Sequence, residues 1–189
     1  MCNIIEKEVE KAFQIISKGG IIVYPTETVW GIGCDSMNNT AIKNIYKIKN
    51  RESNNPMLCI VNNMTMVREY IKDIPEEIEK IIINTSKPTT IIYNNSKNIS
   101  DLLLGDNRSI GLRITSNKFC QKLISKLGRP LVSTSANISG KKSTSFFKEI
   151  DTKILKEVDY VVNLQSDNDS NMASSIIKIN IDGTITKIR

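Results

Sequence analysis

Residues 24–33 (YPTETVWGIG) group several hydroxyl side chains with one carboxylate and two glycines. The segment directly follows an apolar stretch that predicts a buried strand, and α/β sheets usually present ligand sites where strands end. Hydroxyl and carboxylate groups placed there could hold a small polar substrate. The same composition also fits a turn around a packed Trp30, so this segment alone leaves both interpretations open.

A lysine and an arginine, Lys49 and Arg51, lie one residue apart and precede residues 52–56 (ESNNP). Arginine offers a planar fork of donors and lysine a compact charge, a combination that suits a polyphosphate. Cations near the C-terminus of a helix also balance the helix dipole, which would account for Lys49 without any ligand. The pair is therefore a candidate phosphate clamp with a structural alternative.

Two further candidates lie in the second half of the chain. Residues 133–137 (STSAN) follow a predicted strand, and small hydroxyl and amide groups can hold an anion there with help from backbone N–H groups. Serine and asparagine are equally common in turns. Arg113 lies in an otherwise apolar strand. It requires a counter-charge, either a carboxylate of the protein or one of a substrate.

The composition excludes several kinds of site. The 189 residues include no histidine, which rules out Ser-His and Cys-His dyads, and the four cysteines show no C-x-x-C spacing that would indicate zinc. The sequence contains no Walker A loop and no G-x-G-x-x-G turn after a strand, so a nucleotide would have to bind in another way. The net charge of +6 is only a weak indication of an anionic partner, because Lys, Ile and Asn are abundant throughout.

Helices and strands that alternate along the chain must position these segments. Apolar residues at helical spacing predict helices over residues 5–16, 41–48 and 117–127, the second capped at 39–40 and the third at Ser116. Two shorter helical stretches are predicted after residue 61, the second beginning at Pro75. Strands are predicted at 21–24, 57–61, 89–93, 110–114, 130–134, 158–163, 175–181 and 184–188. Residues 165–171 predict a polar, mobile loop.

The pattern predicts one α/β domain over residues 1–189, with a twisted mixed sheet flanked by helices. Asp182 and Gly183 predict a hairpin turn, which argues against a purely parallel sheet. No apolar run approaches the roughly 20 residues that span a bilayer, and the first residues do not resemble a secretory leader. We therefore expect a cytoplasmic protein with reduced thiols and no membrane partner.

Taken together and in order, these segments resemble the YrdC-like family of threonylcarbamoyl-AMP synthases. The family's Tyr-Pro-Thr-acidic-Thr tract matches residues 24–28, its K-x-R motif matches 49–51, its Gly-x-Arg strand matches 111–113, and its Ser-Thr-Ser-Ala-Asn-x-Ser-Gly loop matches 133–140. In residues 86–90 (SKPTT) only Pro88 and Thr90 match the family's Pro-Gly-Pro-x-Thr, and Ser174-Ser175 stands where the family has Ser-Thr.

The resemblance implies the short, single-domain form of the family and a nucleotidyltransferase reaction. L-threonine, bicarbonate and ATP would give threonylcarbamoyl-AMP and pyrophosphate, for threonylcarbamoyl modification of adenosine in tRNA. Lys49 and Arg51 would act in catalysis by neutralising the ATP phosphates. Further ATP contacts would come from Ser109, Ser135, Asn137, Ser145 and Arg189. Contacts to L-threonine would come from Thr26, Arg113, Ser135, Ser174 and Ser175. Magnesium would arrive with ATP, and no metal would be held by the protein. Further candidate partners are tRNA and the machinery that transfers the threonylcarbamoyl group.

Two alternatives remain open at this point. The protein could be an RNA-binding module of the same fold, although the nine Phe and Tyr residues and Trp30 are not interleaved with basic residues as such modules usually require. It could also be a paralogue that acts on another carbamoyl or acyl substrate.

Overall fold

The computed structural model describes residues 2–141, 143, 145–164 and 173–189. Its helices are α1 (Cys2–Ser17), α2 (Asn39–Ile48), α3 (Met64–Tyr70), α4 (Glu76–Asn84), α5 (Lys118–Leu127) and α6 (Thr152–Glu157). Its strands are β1 (Ile22–Tyr24), β2 (Gly31–Gly33), β3 (Leu58–Val61), β4 (Thr89–Tyr93), β5 (Ile110–Ile114), β6 (Leu131–Ser135), β7 (Tyr160–Val161), β8 (Ser175–Ile179) and β9 (Ile185–Lys187). The loop predicted at 165–171 lies outside the described residues.

The described strands form one nine-stranded sheet in the order β7-β1-β2-β6-β3-β5-β4-β8-β9. The pairs β1–β7, β3–β5 and β4–β8 are parallel, and the remaining pairs are antiparallel. The hairpin predicted at Asp182 joins β8 to β9. The expected α/β fold with a mixed sheet is therefore confirmed.

The ends of the helices carry residue types that were expected there, but the capping residue is not always the predicted one. Helix α1 ends at Ser17, and Gly19 follows it with a φ of +87°, which suits a glycine. The cap of α2 is Asn38 rather than 39–40, and the cap of α5 is Asn117 rather than Ser116. In both helices the asparagine side chain accepts a hydrogen bond from the backbone N–H three residues later, which fixes the first turn.

Strand β2 was not predicted, because Gly31-Ile32-Gly33 is too short and too rich in glycine to give a strand signal. The fold nevertheless requires these glycines. A Cβ on Gly33 would lie 2.0 Å from the carbonyl oxygen of Val132 and 3.0 Å from the ring of Tyr24. Glycine thus lets β2 fit between β1 and β6, and the connection at 25–30 folds over the end of β1.

Candidate active site

A cavity of about 1060 Å³ lies against one face of the sheet. Alternate residues of neighbouring strands line it, including Thr90 and Ile92 of β4 and Gly111 and Arg113 of β5. Gly111 keeps this space open, since a Cβ there would lie 3.2 Å from that of Leu58 and 3.4 Å from the methyl group of Thr90. The volume suits a ligand of nucleotide size with a second small substrate.

Most of the predicted site residues contribute to this cavity. Its lining includes Thr26, Arg51, Ser109, Arg113, Ser135, Ser174 and Arg189. The predicted residues outside the lining are Lys49, Asn137, Ser145 and Ser175. The first group spans nearly the whole sequence, so folding brings together side chains that lie far apart along the chain.

Arg51 lies in the cavity wall and is held by the loop that follows it. Its Nε donates to the carbonyl of Asn55 at 2.7 Å, and its Nη2 donates to the Asn55 side chain at 2.7 Å and to the carbonyl of Pro56 at 2.8 Å. Burial lowers the pKa of Arg51, but an arginine remains charged at any physiological pH. The guanidinium is therefore a fixed cation at the cavity surface.

Lys49 does not line the cavity and is only 1% exposed. Its Nζ donates to the carbonyl oxygens of Ser135 at 2.5 Å and Asn137 at 2.6 Å, and its own carbonyl accepts from the N–H of Ser139 at 2.8 Å. Burial, and secondarily the charge of Arg51, lowers the pKa of Lys49 to about 7, while the two carbonyl oxygens favour the charged form. Lys49 thus braces the loop after β6. Its predicted contact with phosphate stays a prediction.

The end of β6 contributes residues to the cavity wall, and the loop after it contains a buried asparagine that stabilises the loop. Ser133 and Ser135 line the cavity. Asn137 donates from Nδ2 to the carbonyls of Ile138 at 3.0 Å and Lys141 at 2.7 Å. The Asn137 Oδ1 has no hydrogen-bond partner within the described part of the chain, so it could accept from a ligand or water.

Ser145 and Ser175, the other two predicted residues outside the lining, have structural contacts. The backbone N–H of Ser145 donates to the Glu149 side chain at 3.2 Å. The N–H of Ser175 donates to the carbonyl of Pro88 at 2.9 Å and starts the pairing of β8 with β4. Their predicted roles in ATP and L-threonine binding stay predictions.

Arg113 has the counter-charge that the sequence required, and it comes from the protein. Its Nε lies 2.9 Å from the Oε1 of Glu27, and the two side chains are 5% and 11% exposed. The N–H is not aligned on the oxygen as in a good hydrogen bond, so the contact is mainly an ion pair. Glu27, the only carboxylate of residues 24–33, was not among the residues predicted to bind ATP or L-threonine, nor was it predicted as the partner of Arg113.

Hydroxyl groups form the wall near Arg113. The Oγ1 of Thr26 accepts from the backbone N–H groups of Thr28 and Val29 at 3.1 and 3.3 Å, which fixes the turn after β1. Ser174 also lines the cavity, with its Oγ 3.0 Å from the Oγ1 of Thr90. Arg189 donates from Nε to the carbonyl of Ser174 at 3.0 Å. Thr90 was missed, although it is one of the two residues of 86–90 that match the family.

A family model that groups the Sua5, YciO and YrdC proteins, described as "Telomere recombination", matches residues 14–189. The chain belongs to this family. In this member, the Tyr-Pro-Thr tract, the K-x-R motif, the Gly-x-Arg strand and the Ser-Thr-Ser-Ala-Asn loop each contribute to one cavity through Thr26, Arg51, Arg113 and Ser135. The resemblance drawn from the sequence is thereby confirmed.

Known members of the family match nearly the whole chain. A putative threonylcarbamoyl-AMP synthase of Methanocaldococcus jannaschii is 34% identical over 188 residues, which cover 96% of this chain and 86% of the relative. The E. coli YciO structure superposes with a TM-score of 0.80 at 26% identity and covers 96% of this chain and 87% of YciO.

The structure of P. abyssi Sua5 complexed with L-threonine has a TM-score of 0.87 at 24% identity, over 96% of this chain. The matched region is 53% of that Sua5 chain, so the present chain spans about half its length. This likeness supports the fold assignment.

Among the described residues, no group of three or more Cys, Asp or Glu side chains is arranged to hold a metal ion. No helix in the described part of the chain is both long and apolar enough to cross a membrane. The predicted cytoplasmic location stays a prediction.

Proposed function

We propose that this protein is a threonylcarbamoyl-AMP synthase, a nucleotidyltransferase that joins L-threonine, bicarbonate and ATP. The observation that carries the proposal is the presence of two fixed arginines, Arg51 and Arg113, in the wall of one cavity large enough for both substrates. Curated family members that this chain matches over most of their length carry that name.

Each arginine suits a different anion. Arg51 and Ser135 both line the cavity, and Lys49 joins their two segments through hydrogen bonds to the carbonyls of Ser135 and Asn137, so the ATP phosphates would bind to this part of the wall. Arg113 lies with Thr26 and Ser174 among hydroxyl groups, a setting that suits the carboxylate and hydroxyl of threonine. Magnesium enters as the Mg-ATP substrate.

The chemistry requires positioning more than a protein nucleophile. The amine of threonine and bicarbonate form a carbamate and release water. A carbamate oxygen then attacks the α-phosphorus of ATP, the bond to the bridging oxygen of the β-phosphate breaks, and pyrophosphate leaves with the electron pair. Because the nucleophile belongs to the substrate, fixed cations that neutralise charge are sufficient, which agrees with a chain that contains no histidine. The product would supply threonylcarbamoyl modification of tRNA.

The test is the substrate dependence of pyrophosphate release by the full chain. Release from Mg-ATP should require both L-threonine and bicarbonate. Serine lacks one methyl group and should be worse by about 10- to 200-fold. Equal release without an amino acid would refute the proposal.

A paralogue with another carbamoyl or acyl substrate is the second candidate. The observation in its favour is the match to E. coli YciO, a family member not named as a threonylcarbamoyl-AMP synthase, over most of both chains. The same assay with a panel of amino acids distinguishes the two. A substrate preferred over L-threonine by more than about tenfold would favour the paralogue.

A further inference from the structure

Glu27 is a nearly buried carboxylate in the connection between β1 and β2, and it contacts two residues at the C-terminal end of β5. One oxygen, Oε1, lies 2.9 Å from the Nε of Arg113. The other, Oε2, accepts a hydrogen bond from the Oγ1 of Thr115 at 2.7 Å. Thr115 is itself buried, and its Oγ1 accepts from the backbone N–H of Asn117, the cap of α5. A chain of contacts therefore runs from a helix cap to the guanidinium in the cavity wall.

Glu27 contacts Arg113 at Nε, which leaves the terminal amino groups of the guanidinium available for a second carboxylate. An arginine has five N–H donors, and the Nε donor lies on the side of the group, away from the pair of terminal amino groups. A carboxylate that contacts Nε restricts rotation of the guanidinium, while the terminal pair keeps the spacing that a second carboxylate accepts in a bidentate manner. Arg113 can thus contact Glu27 and a substrate carboxylate together.

We propose that Glu27 is a positioning residue for amino-acid binding: held by Thr115, it orients the guanidinium of Arg113 so that the terminal amino groups meet the substrate carboxylate. The inference rests on the proposed function, because it requires an amino-acid substrate in this part of the cavity. It assigns Glu27 a role in threonine affinity and none in the phosphate chemistry.

Three variants separate this role from a general contribution to folding. Glu27→Ala removes the oxygen that holds Nε. Glu27→Gln keeps the length of the side chain and an amide group that can face the Thr115 hydroxyl, but it removes the charge that pairs with the Nε of Arg113. Thr115→Val keeps Glu27 but removes the hydroxyl that fixes its second oxygen. Glu8→Gln is the matched control, because Glu8 is a buried carboxylate that binds Tyr160 and the N–H of Asn163 and does not line the cavity.

The measurements are KM for L-threonine, KM for ATP and thermal stability of the full chain. Glu27→Ala should raise KM for L-threonine by at least about tenfold and leave KM for ATP within about threefold. Glu27→Gln, which loses the ion pair but keeps the shape of the side chain, and Thr115→Val should each raise KM for L-threonine by a smaller factor than Glu27→Ala. Glu8→Gln should lower only the melting temperature. Inhibition by L-threonine amide, which lacks the carboxylate, should be the same in all variants.

Each outcome has a defined consequence. If Glu27→Ala and Glu27→Gln both leave KM for L-threonine within about threefold of the unmodified protein, the positioning role is wrong. If Glu27→Ala does not fold, Thr115→Val replaces it in the test, and an unchanged KM for L-threonine in that variant would show that the positioning role is wrong. Equal increases in both KM values would indicate a general structural role and would also overturn the inference. If the unmodified protein itself shows no dependence on L-threonine, the proposed function falls together with the inference.

Discussion

Replacing Arg51 by alanine removes the fixed cation of the proposed phosphate site together with three hydrogen bonds. These bonds join the guanidinium to the backbone and side chain of Asn55 and to the carbonyl of Pro56, all within the next five residues. Because the partners are local and two of the bonds are solvent-exposed, their joint contribution to the free energy of unfolding should be about 1–2 kcal/mol. The fold should therefore survive in Arg51→Ala.

The effect on ATP should be larger than the effect on the fold. Truncating a charged group that contacts a ligand in a partly buried site costs about 2–5 kcal/mol, so ATP should bind more than tenfold more weakly. ATP at about a hundred times its Kd stabilises the unmodified protein by about 2.7 kcal/mol, and a tenfold weaker Kd leaves about 1.4 kcal/mol. For a chain of this length that loss lowers the ATP-induced rise in melting temperature by about 3–5 °C.

The assay is thermal unfolding with and without Mg-ATP for three proteins: unmodified, Arg51→Ala and Lys43→Ala. Lys43 is the control, because it is an exposed cation on α2 that does not line the cavity. It should change neither the stability nor the response to ATP. If Arg51→Ala keeps the full ATP-induced stabilisation, Arg51 does not contact the phosphates and its role is limited to the loop at 52–56.

Three further predictions concern Lys49, Gly33 and nucleic acid. Burial lowers the pKa of Lys49 to about 7, so between pH 7 and 8.5 the unfolded chain binds more protons at this lysine and the free energy of unfolding should rise with pH. Above pH 8.5 this rise is opposed by three buried thiols whose pKa values burial raises, those of Cys34, Cys59 and Cys120. Denaturant unfolding of Lys49→Met should lose the rise below pH 8.5, and a persistent rise would contradict the assignment. Gly33→Ala should destabilise the protein by about 1–3 kcal/mol or more in the same assay, because the added Cβ meets the Val132 carbonyl; an unchanged midpoint would contradict the required close approach. Binding to tRNA should be weak and fall steeply with salt, whereas a sub-micromolar, tRNA-selective complex without ATP turnover would favour the RNA-binding module.

The sequence predicted the elements with strong periodic signals and missed those that depend on tertiary contacts. Helix α2 and strand β5 follow from apolar spacing, because each buries one continuous apolar side. Strand β2 could not be predicted, since its glycines are required by neighbours that are distant in sequence. The caps of α2 and α5 were each misplaced by one residue because adjacent Asn, Ser and Thr residues can all cap a helix.

The same distinction applies to the site. Residue type and motif order predicted which segments meet, and Thr26, Arg51 and Arg113 do line one cavity. Orientation was not predictable, because it depends on partners from other segments. Lys49 and Arg51 are two residues apart, yet one side chain turns to the backbone of the loop after β6 and the other to the cavity. The need of Arg113 for a counter-charge was predicted, but which carboxylate supplies it required the fold.

These contacts also give a physical reason why the four motifs occur together in one chain. Lys49 of the K-x-R motif binds two carbonyl oxygens of the Ser-Thr-Ser-Ala-Asn loop, and Glu27 of the Tyr-Pro-Thr tract pairs with Arg113 of the Gly-x-Arg strand. Each pair joins a buried charged side chain of one motif to a group of another motif, and burying a charge without such a contact is costly. A chain with only one motif of a pair would lose that contact. Each motif therefore predicts its partner, and one residue from each of the four motifs, Thr26, Arg51, Arg113 and Ser135, lines the same cavity.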